Sequence, residues 1–218
     1  MSTRQQAVVL GKGELAIQAA DWFLRSADYD LLAVVPVVPE PTFVASLTAW
    51  AEKNGVRVIS SGHYRDLLQP GEPAIDLAVS TFYDKIIRAN FIDACGRIIN
   101  VHNGPLPRYR GVRPINWALK NGEREHGVTI HEITPGVDDG PIISQVRFSI
   151  DPEIDEVADV YQRALAFGWT LLAQTLPRLD RMPATEQDHT LATFYHSRDN
   201  HLLGDRSTLT RADYQADS

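Results

Sequence analysis

Short uninterrupted runs of apolar residues alternate with segments of helical periodicity through the first half of the chain. Runs without polar alternation are typical of strands buried on both faces, and helices between them fit parallel strands joined by crossovers. The pattern predicts a doubly wound α/β fold with a mostly parallel sheet. The predicted strands are residues 7–10, 31–38, 56–59, 75–80 and 98–101, and the predicted helices are residues 14–26, 43–53, 64–68 and 89–94.

The pattern changes after Pro114. A short predicted helix over residues 117–120 precedes two strand-like runs, and a long helix with one apolar stripe follows near residues 154–178. From Met182 the chain is polar, with a short ordered segment expected at residues 191–195. We therefore expect one main domain over residues 1–181 and a short C-terminal extension over residues 182–218.

The chain has 218 residues, with 21 Lys and Arg against 28 Asp and Glu and a net charge of −7 at pH 7. An acidic protein lacks the basic surface that nucleic-acid backbones attract, so a nucleic-acid partner is disfavoured. No apolar run approaches the roughly 20 residues that cross a bilayer, and the N-terminus lacks a signal-peptide pattern. We expect a cytoplasmic protein with no membrane partner.

Cysteine and histidine usage gives no sign of a metal site. The single cysteine, Cys95, excludes an internal disulfide and a cysteine metal site, and its apolar neighbours predict a buried position on a helix face. The seven His residues are scattered without ligand spacing. We therefore expect no bound metal.

Gly11-Lys12-Gly13 follows the first predicted strand and precedes the first predicted helix. Backbone N–H groups at such a point bind anions, which makes Lys12 a candidate substrate contact. The third glycine of the dinucleotide-binding motif is absent because position 16 is Ala16, and the P-loop spacing is absent too. A tight turn between strand and helix is the favoured interpretation.

Asn100 and His102 end a predicted strand, at the sheet edge where open α/β folds bind ligands. Residues two apart in a strand point to the same face, so the amide and the imidazole are expected side by side. An amide N–H stabilises an oxyanion and an imidazole moves a proton at neutral pH, which together suit acyl transfer. A histidine at the end of a strand is also common as a structural residue with satisfied hydrogen bonds. When His102 is considered by itself, that alternative stays open.

The loop between the strand-like runs 127–133 and 141–149 contains Gly, Pro and two acids, Asp138 and Asp139. A carboxylate bonded to an imidazole fixes the orientation of the ring and raises its pKa. We therefore expect an acid of this loop to assist His102. A solvated acidic turn is the alternative.

Several motifs then occur in a recognisable order. They are N-x-H at residues 100–102, L-P at Leu106-Pro107, R-G at Arg110-Gly111, G-V-T-I-H at residues 127–131 and D-x-G at residues 138–140. With these motifs the sequence resembles the folate-dependent formyltransferase family, strongly over residues 75–146 and in layout over residues 1–180. The resemblance implies a Rossmann-like formyltransferase fold.

The resemblance also implies that a formyl group moves from N10-formyltetrahydrofolate to an amine. Asn100 would stabilise the oxyanion, His102 would transfer the proton, and Asp138 would tune His102 and position a proton-carrying water. Two loops would contact the folate, although a strand-exit loop and a hairpin turn are the alternative interpretations. The implied folate-contacting residues are Phe82, Tyr83, Lys85, Ile87, Leu106, Thr134, Pro135, Gly136, Val137 and Asp138.

Three branches of the family compete. The glycinamide ribonucleotide branch carries H-P-S-L-L-P and a phosphate loop, whereas this sequence has Asn103-Gly104-Pro105 and places Glu14 where a carboxylate repels phosphate. The R-G-x-x-P-x-x-W-A pattern of residues 110–118 is similar to the methionyl-tRNA branch and to the sugar N-formyltransferases. The tRNA branch adds a basic C-terminal barrel, which the polar residues after the last predicted helix and the net charge of −7 do not fit.

The compact length and the sequence His102-Asn103-Gly104 look most like the sugar N-formyltransferases. These act on a nucleotide-linked amino-dideoxy sugar, such as TDP-4-amino-4,6-dideoxyglucose, destined for surface polysaccharide such as O-antigen. N-hydroxyornithine is the nearest alternative substrate, and a non-catalytic folate or nucleotide binder is the alternative from another class. The extension is expected to serve substrate contact or dimerisation, with a homodimer favoured.

The residues that flank the predicted catalytic residues are candidate substrate neighbours. For each of them an exposed charged side chain or a packing residue is an equally open interpretation. They are Lys12, Asn103, Gly104, Tyr109, Arg110 and Trp117.

Overall fold

The computed structural model describes residues 4–211, and these residues form two compact units. The first unit contains the described chain up to Val101 together with Glu132–Pro135. The second contains His102–His131 and the described chain from Gly136 onward. The described residues after Met182 therefore belong to the second unit, while the boundary at residue 181 stays a prediction.

The first unit is built on parallel strands in the order β2-β1-β3-β4. Val9 in the middle of β1 lies opposite Val34 on one side and Val79 on the other. The strands are β1 (Gln5–Gly11), β2 (Tyr29–Pro36), β3 (Ile75–Thr81) and β4 (Cys95–His102), and the helices are α1 (Gly13–Arg25), α2 (Leu47–Lys53), a 3-10 helix (Tyr64–Leu68) and α3 (Ala89–Ile92).

Both faces of these strands are covered. Val8 and Val9 are fully buried, and successive residues of a strand point to opposite faces. Val8 packs in a cluster with Tyr64 and Phe91, from the 3-10 helix and α3. Helix α1 packs against β1, β2 and β3. The predicted α/β class with a mostly parallel sheet is confirmed.

The second unit combines an antiparallel strand pair with helices. Strands β6 and β7 pair antiparallel, and two short strands, β5 and β8, pair parallel. Helix α5 packs against β7. The elements are β5 (Arg110–Gly111), α4 (Pro114–Lys120), β6 (Glu125–Glu132), β7 (Ile142–Ser149), α5 (Val157–Thr175), β8 (Phe194–Tyr195) and 3-10 helices over Leu176–Arg181, His189–Leu191 and Ser197–Ser207.

Three predicted elements differ from the observed ones because of capping and local pairing. Residues 56–59 form no strand, since Val58 makes only an isolated bridge to Val34. Helix α2 begins at Leu47 rather than at residue 43, because the Ser46 hydroxyl accepts a hydrogen bond from the N–H of Ala49 and caps it there. Helix α5 begins at Val157, where Glu156 and Asp159 form a reciprocal cap.

The predicted place of Cys95 on a helix face is wrong. The preceding helix is only Ala89–Ile92, and Cys95 is the first residue of β4, where it is half-buried. Burial raises the pKa of the thiol to about 12, so it stays protonated and unreactive at neutral pH. Among residues 4–211, no helix has the length and apolar character that crossing a bilayer requires.

The close approach of β1 to β3 at Gly11 gives a test of the fold. A Cβ on Gly11 would lie 2.0 Å from the carbonyl oxygen of Thr81, a backbone atom that cannot turn away. We expect Gly11→Ala to lower the free energy of unfolding in urea by about 3 kcal/mol, as overpacking does. Gly55→Ala is the control, because Gly55 also has a positive φ but no atom within 4 Å of its Cβ position. It should lose only the conformational cost of about 1 kcal/mol, and equal losses in the two variants would contradict the steric account.

Candidate active site

His102 is the last residue of β4 and is only 6% exposed. Its Nε2 lies 2.8 Å from the carbonyl oxygen of Tyr109, and its Nδ1 lies 3.5 Å from Oδ2 of Asp138. A carbonyl oxygen only accepts hydrogen bonds, so Nε2 carries the proton and donates it. In the neutral ring Nδ1 is therefore the basic nitrogen, and it faces a carboxylate.

Asp138 is held by three groups. Its Oδ2 accepts a hydrogen bond of 2.8 Å from the N–H of Gly111, and its Oδ1 lies 3.6 Å from Nε2 of His131. Burial raises the pKa of Asp138, but His102, His131 and the N–H of Gly111 lower it by more, and the net pKa is well below its usual range. Asp138 is therefore a carboxylate at neutral pH.

Burial and Asp138 act on the pKa of His102 in opposite directions. Asp138 does raise it, as expected, but burial lowers it by more and the neighbouring His131 lowers it further, so the net pKa lies below the ordinary value. The expected effect of the carboxylate is therefore present, but burial outweighs it, and the sequence does not show how deeply His102 is buried. His102 is neutral at neutral pH, with Nδ1 ready to accept a proton.

The chain that follows His102 is fixed by side chains of β6. The Thr129 hydroxyl donates to the carbonyl of Gly104 and accepts from the N–H of Leu106, at 2.7 and 3.2 Å. His126 donates through Nε2 to the carbonyl of Asn103 at 2.9 Å, because a carbonyl only accepts. A Cβ on Gly104 would lie 2.7 Å from Nε2 of His102, so the loop approaches the ring where only glycine fits.

The candidate substrate residues of this unit fall into two groups. Oδ1 of Asn103 is buried and has no hydrogen-bond partner among residues 4–211. Tyr109 and Trp117, in contrast, stack on either side of Tyr195, at ring distances of 5.5 and 4.6 Å. Arg110 is buried and donates to Gln187. Tyr109, Arg110 and Trp117 are thus engaged in packing within the unit.

Most of the remaining residues that were predicted to bind folate or substrate, together with Asn100, lie in the first unit. Burial lowers the pKa of Lys12, and Asp84 opposes that shift. The Tyr83 hydroxyl donates to the carbonyl of Gly62 at 2.7 Å, and burial raises its pKa. Ile87 is a core residue in the cluster with Phe91. Lys85 pairs with Asp84, and Asn100 lies in β4. The loop residues of this unit are Phe82, Thr134 and Pro135.

Two further predicted folate-contacting residues are exposed and lie in a loop of the second unit. They are Gly136 and Val137.

Three contacts around the His102–Asp138 pair were not predicted from the sequence. His131 belongs to the G-V-T-I-H motif, which is a signal that could have marked it. Gly111 and Tyr109 act through their backbone N–H and carbonyl groups, and no residue type signals such a contact. They become visible only when the fold is known.

Comparison with known proteins agrees with the motifs and the geometry. The family model described as formyl transferase matches residues 41–176, which include β3 to β7 and all of α5.

The chain belongs to the formyl transferase family.

The sequence relatives and the structural neighbours of this formyl transferase differ in their reported substrates. The methionyl-tRNA formyltransferase of Fervidobacterium nodosum is 31% identical over 195 residues, which are 85% of this chain and 61% of the relative. A sugar 3N-formyl transferase crystallised with dTDP and 5-N-formyl-THF superposes with a TM-score of 0.79 at 23% identity, covering 91% of this chain and 72% of that chain. An N-formyltransferase from Helicobacter canadensis, in complex with folinic acid and dTDP-3-aminofucose, gives 0.76 and 23%, with 90% and 72% covered.

The chain spans about three fifths of the length of the curated relatives that it matches. The structural neighbours are below 25% identity, so they show the fold. The comparisons therefore establish the family and the fold of this chain.

The buried ring of His126 predicts a pH dependence of stability. Burial lowers the pKa of His126 to about 4, whereas the unfolded chain binds that proton near pH 6.5. The free energy of unfolding should therefore fall as the pH drops from about 6.5 to 4, by about 2.5 kcal/mol at pH 4.5 from this residue. The measurement is urea unfolding at pH 7.0 and at pH 4.5. In His126→Gln, whose amide N–H can still donate to Asn103, the difference in unfolding free energy between the two pH values should be smaller by this amount. His201→Gln, at an exposed position, should keep the wild-type fall, and a wild-type fall in His126→Gln would refute the assignment.

Proposed function

We propose that this chain is an N-formyltransferase that moves a formyl group from N10-formyltetrahydrofolate to the amine of a nucleotide-linked amino-dideoxy sugar. The observation that carries the proposal is the neutral His102 ring, with its basic Nδ1 facing the Asp138 carboxylate. A buried neutral imidazole beside a fixed carboxylate is a proton-transfer pair. Membership of the formyl transferase family gives the pair its reaction.

Each residue of the proposed catalytic set has one task. As the amine nitrogen bonds to the formyl carbon, the carbonyl electrons move to oxygen, and the Asn100 amide donates to that oxyanion. His102 takes the proton from the attacking nitrogen and gives it to N10 when the bond between carbon and N10 breaks. Asp138 stabilises the imidazolium that exists between these two transfers. The products are the formamide and tetrahydrofolate, so atoms and charges balance.

The folate-contacting role is proposed for residues of two loops. Phe82, Tyr83 and Lys85 follow β3, and Thr134–Asp138 follow β6. Structural neighbours crystallised with 5-N-formyl-THF and folinic acid support a folate donor. Leu106 and Ile87 are buried in their own units, so we expect them to support the contacting loops by packing.

A sugar nucleotide is the acceptor favoured by two observations. The neighbours with TM-scores of 0.79 and 0.76 were crystallised with dTDP and with dTDP-3-aminofucose. The net charge of −7 gives no electrostatic attraction for an RNA backbone. The unpaired Oδ1 of Asn103, near the end of β4, is a candidate acceptor for an N–H of the amine.

The expected homodimer stays a prediction.

Methionyl-tRNA is the second candidate acceptor, because the curated relatives at 30 and 31% identity carry that activity in their names. N-hydroxyornithine and a binding-only protein are the further alternatives. A formyl-transfer panel together with a folate-binding measurement separates all four outcomes.

The direct test is formyl transfer from N10-formyltetrahydrofolate to a panel of amines, read by mass spectrometry as a gain of about 28 Da when CHO replaces H. The panel holds TDP-, UDP- and GDP-linked 3-amino and 4-amino sugars, N-hydroxyornithine, glycinamide ribonucleotide and methionyl-tRNA. We expect product on a sugar nucleotide. Asn100→Ala should reduce turnover about 10²- to 10³-fold, as the loss of one oxyanion donor does, and His102→Gln should do so at least as strongly.

Asn54→Ala is the control for these variants, because Asn54 lies at the exposed end of α2. Product on methionyl-tRNA alone would replace the sugar by the second candidate. Folate binding without product on any amine would favour the binding-only alternative, and full activity in His102→Gln would reject the mechanism.

The rate of formyl transfer should fall at acidic pH, because protonated His102 can no longer act as the base. His102 must be neutral to accept the proton, and its pKa lies below the ordinary value of 6.5. We therefore expect kcat/KM to be level at neutral pH and to fall only as the pH drops below about 6.5. In Asp138→Asn the contact that raises the His102 pKa is lost, so the fall should move to still lower pH while the plateau drops. An acid limb centred above pH 6.5 would contradict the neutral, buried ring.

A further inference from the structure

Gln187 lies in the polar C-terminal part of the chain, yet it is only 5% exposed. Its Nε2 donates to the carbonyls of Asp138 and Gly140, at 2.9 and 2.7 Å. Its Oε1 accepts from Nε and Nη2 of Arg110, at 3.1 and 2.6 Å. Both donor and both acceptor capacities of the amide are thus used, and this arrangement of acceptors and donors fixes which end is nitrogen.

The contacts of Gln187 fall on the backbone that carries Asp138. By binding the carbonyls on both sides of Asp139, the amide fixes the loop just where Asp138 has a positive φ of 50°. A non-glycine residue holds such a backbone conformation only when its surroundings impose it. The amide also joins this loop to Arg110, which adjoins Gly111, the residue whose N–H binds the Asp138 carboxylate.

Thr193 makes a second, independent contact with the same region. Its hydroxyl accepts from the N–H of Tyr109 at 2.8 Å, and its carbonyl accepts from the N–H of Arg110 at 2.9 Å. The pairing continues where the N–H of Val112 donates to the carbonyl of Tyr195 at 3.0 Å. The segment Tyr109–Val112, which includes β5, provides both the Tyr109 carbonyl that binds His102 and the Gly111 N–H that binds Asp138.

We propose that residues 187–195 are a positioning element for the His102–Asp138 pair, with Gln187 holding the loop of Asp138 and Thr193 holding the strand that contacts both members. Neither residue touches the reacting atoms. Their role rests on the proposed function only as far as the pair is catalytic, because the geometry of the pair itself is measurable without turnover.

The charged and titratable surroundings are few. His102 faces Asp138 and His131, and it also interacts electrostatically with His126 of β6. Gln187 faces Arg110, whose Nη2 also lies 3.2 Å from Nδ1 of His189. Uncharged substitutions at Gln187 and Thr193 therefore leave the charges around the pair unchanged, so an altered titration of His102 reports an altered geometry.

The test uses Gln187→Met, which keeps the length of the side chain without its hydrogen bonds, and Thr193→Val, which keeps the shape without the hydroxyl. The matched controls are Gln162→Met and Thr170→Val, at exposed positions of α5. For each protein the titration of His102 is followed by imidazole 15N NMR, with His102→Gln assigning the signal. Thermal unfolding, kcat and the KM for N10-formyltetrahydrofolate are measured beside it.

Loosening either contact weakens the interactions that raise the His102 pKa, so His102 should titrate at lower pH in Gln187→Met and Thr193→Val than in wild type. We expect kcat to fall at least about tenfold in Gln187→Met and about threefold in Thr193→Val, with the donor KM within about twofold, because a misplacement of about 1 Å at a catalytic group costs up to ~10²-fold. The controls should match wild type. If Gln187→Met does not fold, Thr193→Val alone decides.

Wild-type titration of His102 in both variants, or an equal change in the controls, would overturn the inference. So would a change in thermal unfolding with kcat and the His102 titration unaltered, because this is the result of a purely structural role. If the wild-type protein formylates no amine in the panel, the proposed function fails, and the NMR titration still decides whether residues 187–195 position the pair.

Discussion

The hydrogen bond from Nε2 of His102 to the carbonyl of Tyr109 determines which ring nitrogen is free. A carbonyl cannot donate, so the contact selects one tautomer and leaves Nδ1 as the base. Burial then keeps the ring neutral, and Asp138 faces the nitrogen to which we assign proton transfer in the proposed reaction. If the Tyr109 carbonyl turned away, the other nitrogen could carry the proton, and the carboxylate would face a donor rather than a base.

This arrangement leaves polar groups buried without partners, which is costly for stability. Nδ1 of His126 and Oδ1 of Asn103 are both buried without a hydrogen-bond partner among residues 4–211. His126 nevertheless fixes the carbonyl of Asn103, one residue after His102. Buried polar groups without partners are typical of functional sites, where side chains are fixed for a function at a cost in folding free energy.

The elements predicted best from the sequence were those whose own residues determine them. The apolar runs of β1 and β3 and the N-x-H pair at Asn100 and His102 needed no tertiary information. Val58 was misassigned because only its partner strand shows that the pairing stops after one bridge. The sign of the His102 pKa shift depends on burial, and the role of Tyr109 depends on a backbone atom, so neither is written in the residue types. Gln187 gave no signal because a glutamine in a polar segment is usually solvated.

The contacts made by residues 187–195 also have a consequence for the order of events during synthesis. Gln187 and Thr193 are separated along the chain by 49 and 84 residues from Asp138 and Tyr109, the residues that they hold. Contacts at such long sequence separation form late, and chains fold from the N-terminus as they leave the ribosome. The first-unit residues of the parallel strands have all emerged once Val101 has left the ribosome. The contacts of residues 187–195 with the loop of Asp138 and with Tyr109 can all form only after Tyr195 has emerged. A nascent chain can therefore complete the parallel strands of its first unit before the contacts that hold the proposed proton-transfer pair can form.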